Sequence, residues 1–406
     1  MNLRKNRIFS IVPPLVSRAV ISSLKYFLFL RLLTSLLVLI AAIWIPPQTL
    51  PPNSTTVQSY LTTIENQGVF MKWFVAPWYR WDTVHYLDIS DFGYSYDKSN
   101  TIWPPLYSLL ARWVSYITSS SLVAALIVSN LSSIIAWIIL YLWVTDVWEE
   151  KIAQDTLTWV VIFPTAFIWM AGYSESLFLA LSVGCLYAFR KSRWILAGIL
   201  CAGAVLTRWQ GVILFIPIAW IWFRSVFIQK RIKFGQAFPL LITIVLMGIA
   251  GMAYILYIRF VLGFSWPWEG LSNYSQHLAW PWEGWIGTFT SLTSFTFSAM
   301  EAVIPFLTRF YDLFIVSGAI ILLIRQYKRI PVEYLLYAVA GILLMLIKID
   351  RGSQLTDVSR YILGIFPVFV VLALTLKKGA KLAWFAFSLL SLAILTILFY
   401  EWAWMA

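Results

Sequence analysis

Between Trp78 and Arg112 the chain gathers its densest set of ionisable groups: Arg80, Asp82, His85, Asp88, Asp91 and Asp97, closed by the run Trp103-Pro104-Pro105-Leu106-Tyr107. The centre of the stretch is Trp81-Asp82-Thr83-Val84-His85-Tyr86. On a helix, Asp82 and His85 stand three residues apart and share a face with Tyr86. A carboxylate there is a candidate general base, able to take a proton from a substrate hydroxyl. Asp is also a preferred helix N-cap, and the two roles are compatible. His85 reads as a substrate or metal contact, or as an interfacial polar residue. Asp88 and Asp91 read as a solvated face.

Outside this stretch, three further places carry charge in apolar surroundings. Glu175, in Tyr173-Ser174-Glu175-Ser176, either caps the following helix or turns toward a ligand. Arg208 sits between two apolar halves with no acid near it in sequence, so it either meets an anion, a lipid phosphate being the natural one, or snorkels to the interface. Arg351 and Arg360, with Asp350 and Asp357, either join the same pocket or pair among themselves. The near-duplicates Trp266-Pro267-Trp268-Glu269-Gly270 and Trp280-Pro281-Trp282-Glu283-Gly284 read as interfacial anchors rather than sugar-stacking platforms. No Gly-rich phosphate loop, zinc-binding His pair or nucleophile elbow is present, and Cys185 and Cys201 both fall in apolar runs as core residues.

The elements that must hold these groups are membrane helices. The chain has 406 residues, 61% hydrophobic and only 12% charged, with a mean hydropathy of +0.79; soluble domains carry about 25% charged residues. Candidate spans fall at 24–45, 121–144, 157–172, 174–189, 194–207, 209–223, 237–262, 302–324, 333–348, 360–376 and 382–400, about 11 crossings of an all-α, multi-pass protein. The pairs 157–189 and 194–223 are each one long helix or a short hairpin; basic flanks at both ends favour a hairpin whose tip holds Thr207-Arg208-Trp209. The segment 103–118, with two prolines and Arg112, reads as an interfacial helix. A net charge of +12 would suit nucleic acid, but the basic residues cluster beside apolar spans, at Arg190 to Arg193, Lys230 to Lys233, Arg325 to Arg329 and Lys377 to Lys381. This is the positive-inside pattern. Starting from a cytoplasmic N-terminus (Arg4, Lys5, Arg7, Arg18, with no cleavage site after the first apolar run), most basic residues fall inside and most acids outside. Two large outer loops result, 46–120 and 263–301, with a shorter one near 349–359. The reading is one membrane domain over 1–406: a catalytic-type module at 24–262 and C-terminal helices and loops at 263–406.

Trp81-Asp82-x-x-His85-Tyr86, Gly93-Tyr94, Pro104-Pro105-Leu106-Tyr107 with Arg112, Phe163-Pro164-Thr165-Ala166, Tyr173-Ser174-Glu175-Ser176-Leu177-Phe178, Thr207-Arg208-x-x-Gly211 and Ser359-Arg360-Tyr361, in this order, resemble the PIG-V family, GPI mannosyltransferase II and its prokaryotic relatives. The resemblance implies a GT-C fold and an inverting transfer of a hexose, mannose, from a polyprenyl- or dolichyl-phosphate donor to a glycan or glycolipid acceptor on the non-cytoplasmic face. It implies Asp82 as the catalytic acidic residue of the first outer loop; the residues themselves add His85 beside it, Arg208 and Arg360 as candidates for the donor phosphate, and Trp81, Tyr86, Glu175 and Gln276 as candidates against substrate. The membrane would be a bacterial plasma membrane or the endoplasmic reticulum. No cofactor is implied, although Asp82 with His85 could hold a divalent ion. Two other classes stay open: a transporter or lipid flippase, disfavoured by charges gathered at one face, and a non-catalytic subunit that binds lipid carriers.

Overall fold

In the computed structural model, residues 5–45, 55–95, 97–228, 238–294, 303–350 and 352–403 are described. The basic run Lys230 to Lys233 and Arg351 lie outside them. The centre of the protein is the helix Ser121–Val147, 27 residues long, roughly 40 Å at 1.5 Å per residue. Of its most apolar window 56% is buried inside the protein, against 17% for the Leu241–Val261 helix. The first is therefore a core element and the second faces the surroundings. The core helix presents small residues, among them Ala124, Ala125, Ser129, Ser132, Ser133 and Ala136, all buried. Small side chains let neighbouring backbones approach closely.

Regular helices pack on that helix, among them Glu175–Arg190, and so does a stretch of irregular backbone. After Glu150–Val161 the chain breaks at Phe163-Pro164, makes a 3-10 turn over Ala166–Met170 and only then enters Glu175–Arg190. Proline disfavours helix in the residue before it and has no N–H to donate. Irregular backbone at membrane depth survives only where protein groups satisfy it. Here the Ser129 hydroxyl donates to the Tyr173 carbonyl (2.8 Å) and the Ser133 hydroxyl to that of Trp169 (3.2 Å). The expected span 157–172 is thus no continuous helix.

Among the described residues, six helices are long and apolar enough to cross a membrane: Pro14–Trp44, Ser121–Val147, Trp209–Ile228, Leu241–Val261, Val303–Arg329 and Lys378–Tyr400. The expected span 360–376 is a bent pair, Val358–Gly364 and Phe366–Thr375, at 88°, with Pro367 at the start of its second half. Trp194–Thr207 and Val332–Leu346 are apolar but shorter. The described helices do not confirm the expected count of about 11 crossings. The segment Leu106–Thr118 is one helix that buries Tyr107, Ser108 and Ala111 and exposes Leu109, Trp113, Tyr116 and Ile117. The described residues hold one small sheet, Gln276–Leu278 antiparallel to Lys348–Asp350, with Gln276 opposite Asp350.

The turn expected at Thr207-Arg208-Trp209 is present. Arg208 is extended (φ −152°, ψ 142°) between Trp194–Thr207 and the 3-10 segment Trp209–Leu214. Gly211 folds back so tightly that a Cβ there would sit 2.5 Å from the Val205 nitrogen. Gly211→Ala is therefore expected to force this turn apart and to cost about 3 kcal/mol, read as a lowered melting temperature in detergent. An unchanged melting curve would show that the turn opens freely.

Candidate active site

At one end of the helices the chain encloses a cavity of about 1060 Å³. The helix Asp82–Phe92 begins on its wall, and the residue before it is strained: Trp81 has φ 51° and ψ −121°. A bulky residue at positive φ costs on the order of 1–3 kcal/mol and persists only when its surroundings enforce it. Here the Asp82 N–H donates to the Tyr173 hydroxyl (3.3 Å) and the Trp81 indole packs on Trp402. Trp81 occupies the N-cap position and no side chain caps the helix, so Asp82 does not take the capping role open to it. Its Oδ2 lies instead 3.0 Å from Arg360 Nη2.

Arg360 begins a buried chain of opposite charges. Its Nε lies 3.1 Å from Glu175 Oε1, and the same oxygen lies 2.8 Å from Arg208 Nη1. Arg208 also donates to the Ser174 hydroxyl (3.0 Å), which bonds the Tyr86 hydroxyl (2.5 Å), and its guanidinium stacks over Tyr361. Arg208 is thus not the unpaired cation its sequence neighbourhood suggests. Glu175, in the first turn of Glu175–Arg190, accepts no capping hydrogen bond; it is 3% exposed and is not among the residues lining the main cavity. Two carboxylates and two guanidinium groups sum to zero, which lets this much charge be buried. Burial pushes the Tyr86 phenol above its ordinary range, so it stays a hydrogen-bonding hydroxyl.

The short turn Val358–Tyr361 that carries Arg360 is pinned from two sides. The Ser359 N–H donates to Asp312 Oδ1 (2.7 Å) and the Thr165 hydroxyl donates to the Ser359 carbonyl (2.7 Å). One turn along from Asp82, His85 stacks on Trp103 with ring centroids 4.3 Å apart, stands edge-on to Tyr274, and bonds Asn100 Oδ1 through Nδ1 (2.9 Å). Trp81, Asp82, His85, Tyr86, Arg208, Gln276 and Arg360 all line the cavity; His277 does not. Arg309, Asp312, Lys348 and Trp103 line it too and were not foreseen. Arg309 and Asp312 had a signal, as charges inside an apolar span. Lys348, held by the Tyr361 hydroxyl (2.7 Å), had the same signal at the end of the candidate span 333–348. Among the described residues no three His, Cys, Asp or Glu side chains gather as a metal site.

Asp88 is not part of a freely solvated face. Burial first, then the negative charges of Asp97 and Asp91, push its carboxyl up to about 6.

The sequence matches the family profile described as Mannosyltransferase (PIG-V) over residues 20–264. GPI mannosyltransferase 2 of Schizosaccharomyces pombe is 29% identical over 157 residues, 37% of this chain and 32% of that one. Its counterpart in Cryptococcus neoformans is 26% identical over 147 residues, 34% of each chain. The matched stretch thus spans about a third of these relatives. A crystal structure of the Archaeoglobus fulgidus oligosaccharyltransferase tethered to an acceptor peptide aligns with a TM-score of 0.44 at 14% identity, over 94% of this chain and 55% of that one.

Two outcomes follow from the electrostatics. Glu175→Gln leaves two buried guanidinium groups with only Asp82 between them and is expected to cost about 3 kcal/mol or more; adding Arg208→Gln should recover part of that loss in thermal melts. Independent, additive losses would mean the two residues are not coupled. For Asp88 the folded carboxyl lies above its usual value, so the folded state binds more protons between about pH 4 and pH 6 and stability falls as pH rises through that window. Asp88→Asn should flatten that slope and raise the melting temperature at pH 7.5; an unchanged slope would assign the effect elsewhere.

Proposed function

The chain belongs to the PIG-V mannosyltransferase family, and from that premise we propose that it transfers a mannosyl group from a polyprenyl- or dolichyl-phosphate donor to a hydroxyl of a glycan or glycolipid, at the non-cytoplasmic surface of its membrane. The observation that carries this reading is the placement of the Asp82 carboxylate on the cavity wall, with Arg360 on one of its oxygens and Arg208 next in the same charge chain.

Asp82 Oδ1 accepts the proton of the acceptor hydroxyl as its oxygen attacks the anomeric carbon. The bond from that carbon to the phosphate oxygen breaks, and its electron pair leaves on the phosphate. Attack opposite the leaving group inverts the anomeric centre. A phosphate departs as a stable anion, so no second carboxyl acid is needed, in contrast to glycosidases. Arg360 and Arg208 meet the departing charge. Because Glu175 already divides their charge, the phosphate joins a neutral network and tips its balance instead of discharging two isolated cations. Trp81, Tyr86, His85 and Gln276 border the space where sugar and acceptor meet.

The orientation rests on charge. Ser121–Val147 begins where Ser121 bonds Asp91 and ends at Asp146, which pairs with Arg190 and Lys191. Arg18 with Glu150 and Lys381 with Asp155 lie toward the same far end. Basic flanks mark the cytoplasmic side, which leaves the cavity on the other.

Asp82→Asn is expected to lower transfer at least about 1000-fold with membrane insertion intact, measured with labelled polyprenyl-phosphate mannose in membranes carrying the protein. Turnover near wild type would remove Asp82 from the reaction. Transfer should also persist in excess EDTA; loss that Mg²⁺ or Mn²⁺ restores would bring a metal into the step.

A further inference from the structure

The end of the helix Lys378–Tyr400 reaches both contacts that hold the start of the Asp82–Phe92 helix. Phe399 packs on Tyr173 with ring centroids 6.1 Å apart, and Tyr173 receives the Asp82 N–H. Just past the helix end, Trp402 packs on Trp81 at 5.6 Å. Arg80, the residue before Trp81, is 7% exposed. Its Nε donates to the Tyr400 carbonyl (2.9 Å), and its Nη1 to those of Tyr79 (3.0 Å) and Ala76 (3.3 Å). The same guanidinium lies over the Tyr400 ring at 5.1 Å and the Trp402 ring at 4.9 Å.

Trp81 and Trp402 share a second feature. Both lie in the left-handed region, at φ 51° and φ 59°, where a bulky residue is strained and persists only if its surroundings enforce it. Trp402 follows the C-cap Glu401, a position that suits glycine. The backbone gains nothing from a tryptophan there, so its ring contacts with Arg80 and Trp81 must offset the strain. A guanidinium stacked on aromatic faces and hydrogen-bonded to backbone carbonyls is held against rotation. Neither Arg80, Tyr400 nor Trp402 is among the residues lining the cavity. What they reach is the residue from which the Asp82 helix starts.

We infer that Arg80, Tyr400 and Trp402 are positioning residues, a brace that fixes Trp81 and through it aims the Asp82 carboxylate. The inference deepens the proposed transferase reading and rests on it. A base displaced by about 1 Å loses rate steeply, while donor binding, which that reading gives to Arg208 and Arg360, is left in place. The brace therefore acts on the maximal rate and not on donor affinity.

The test is the split between maximal rate and KM for labelled polyprenyl-phosphate mannose. It is measured in membranes carrying the full chain, with rates counted per folded protein extracted in detergent. Trp402→Ala and Arg80→Leu should each lower the maximal rate about tenfold or more and leave the donor KM within about twofold. Trp402→Phe, which keeps an aromatic face toward Arg80 and Trp81, should retain most of the rate. Added to Asp82→Asn, Trp402→Ala should cause no further loss, because the brace acts through that carboxylate. Trp402→Leu, which fills the space without a π face, replaces Trp402→Ala in each comparison if the smaller residue fails to fold. Wild-type rates in Trp402→Ala and Arg80→Leu would overturn the inference. So would a raised donor KM at unchanged rate, or a full further loss on top of Asp82→Asn. Near-wild-type transfer by Asp82→Asn would instead remove the base assignment, so the two fail separately.

Discussion

Charge and irregular backbone at membrane depth must find their partners inside the protein, because the bilayer supplies none. The structure answers this at one place. The Phe163–Ser174 segment leaves helical geometry against the small-residue face of Ser121–Val147, where Ser129 and Ser133 satisfy its carbonyls. That same segment supplies Thr165 to hold the turn of Arg360, Tyr173 to receive the Asp82 amide, and Ser174 to bond Arg208. The interruption of the helix and the assembly of the charged site are one event.

The neutral sum of Asp82, Arg360, Glu175 and Arg208 explains how two carboxylates and two guanidinium groups share one site with so little exposure. It also sets a limit. A guanidinium shared between two carboxylates is already partly discharged, so in the proposed reaction its value to a leaving phosphate lies in pre-positioning rather than in raw charge. The strained backbone at Trp81 fits that account: its cost, on the order of 1–3 kcal/mol, is balanced by contacts with Tyr173 and Trp402 that aim the start of the Asp82–Phe92 helix.

How much of this is legible in the sequence follows from how local each signal is. Asp82 stands out because it centres a polar stretch in an apolar chain. The break at Arg208 is announced by a charge between two apolar halves, followed by Gly211. The start of the helix Leu106–Thr118 is announced by Pro104-Pro105. The partner of Arg208 is not announced, because Glu175 reaches it from another helix through tertiary packing alone. Likewise the interruptions at Pro164 and Pro367 fall inside strongly apolar windows, where hydropathy reads continuous spans and only the prolines dissent. Arg309 and Asp312 carried a visible signal, an ionisable pair in an apolar span.

The most direct measurement is an experimental structure of the protein in a lipid nanodisc with a polyprenyl phosphate bound. The account predicts phosphate oxygens within hydrogen-bond distance of Arg208 or Arg360, and Asp82 Oδ1 open to the space beside the phosphate. A phosphate seated elsewhere in the cavity, with the Asp82–Arg360–Glu175–Arg208 chain closed and remote from it, would contradict it.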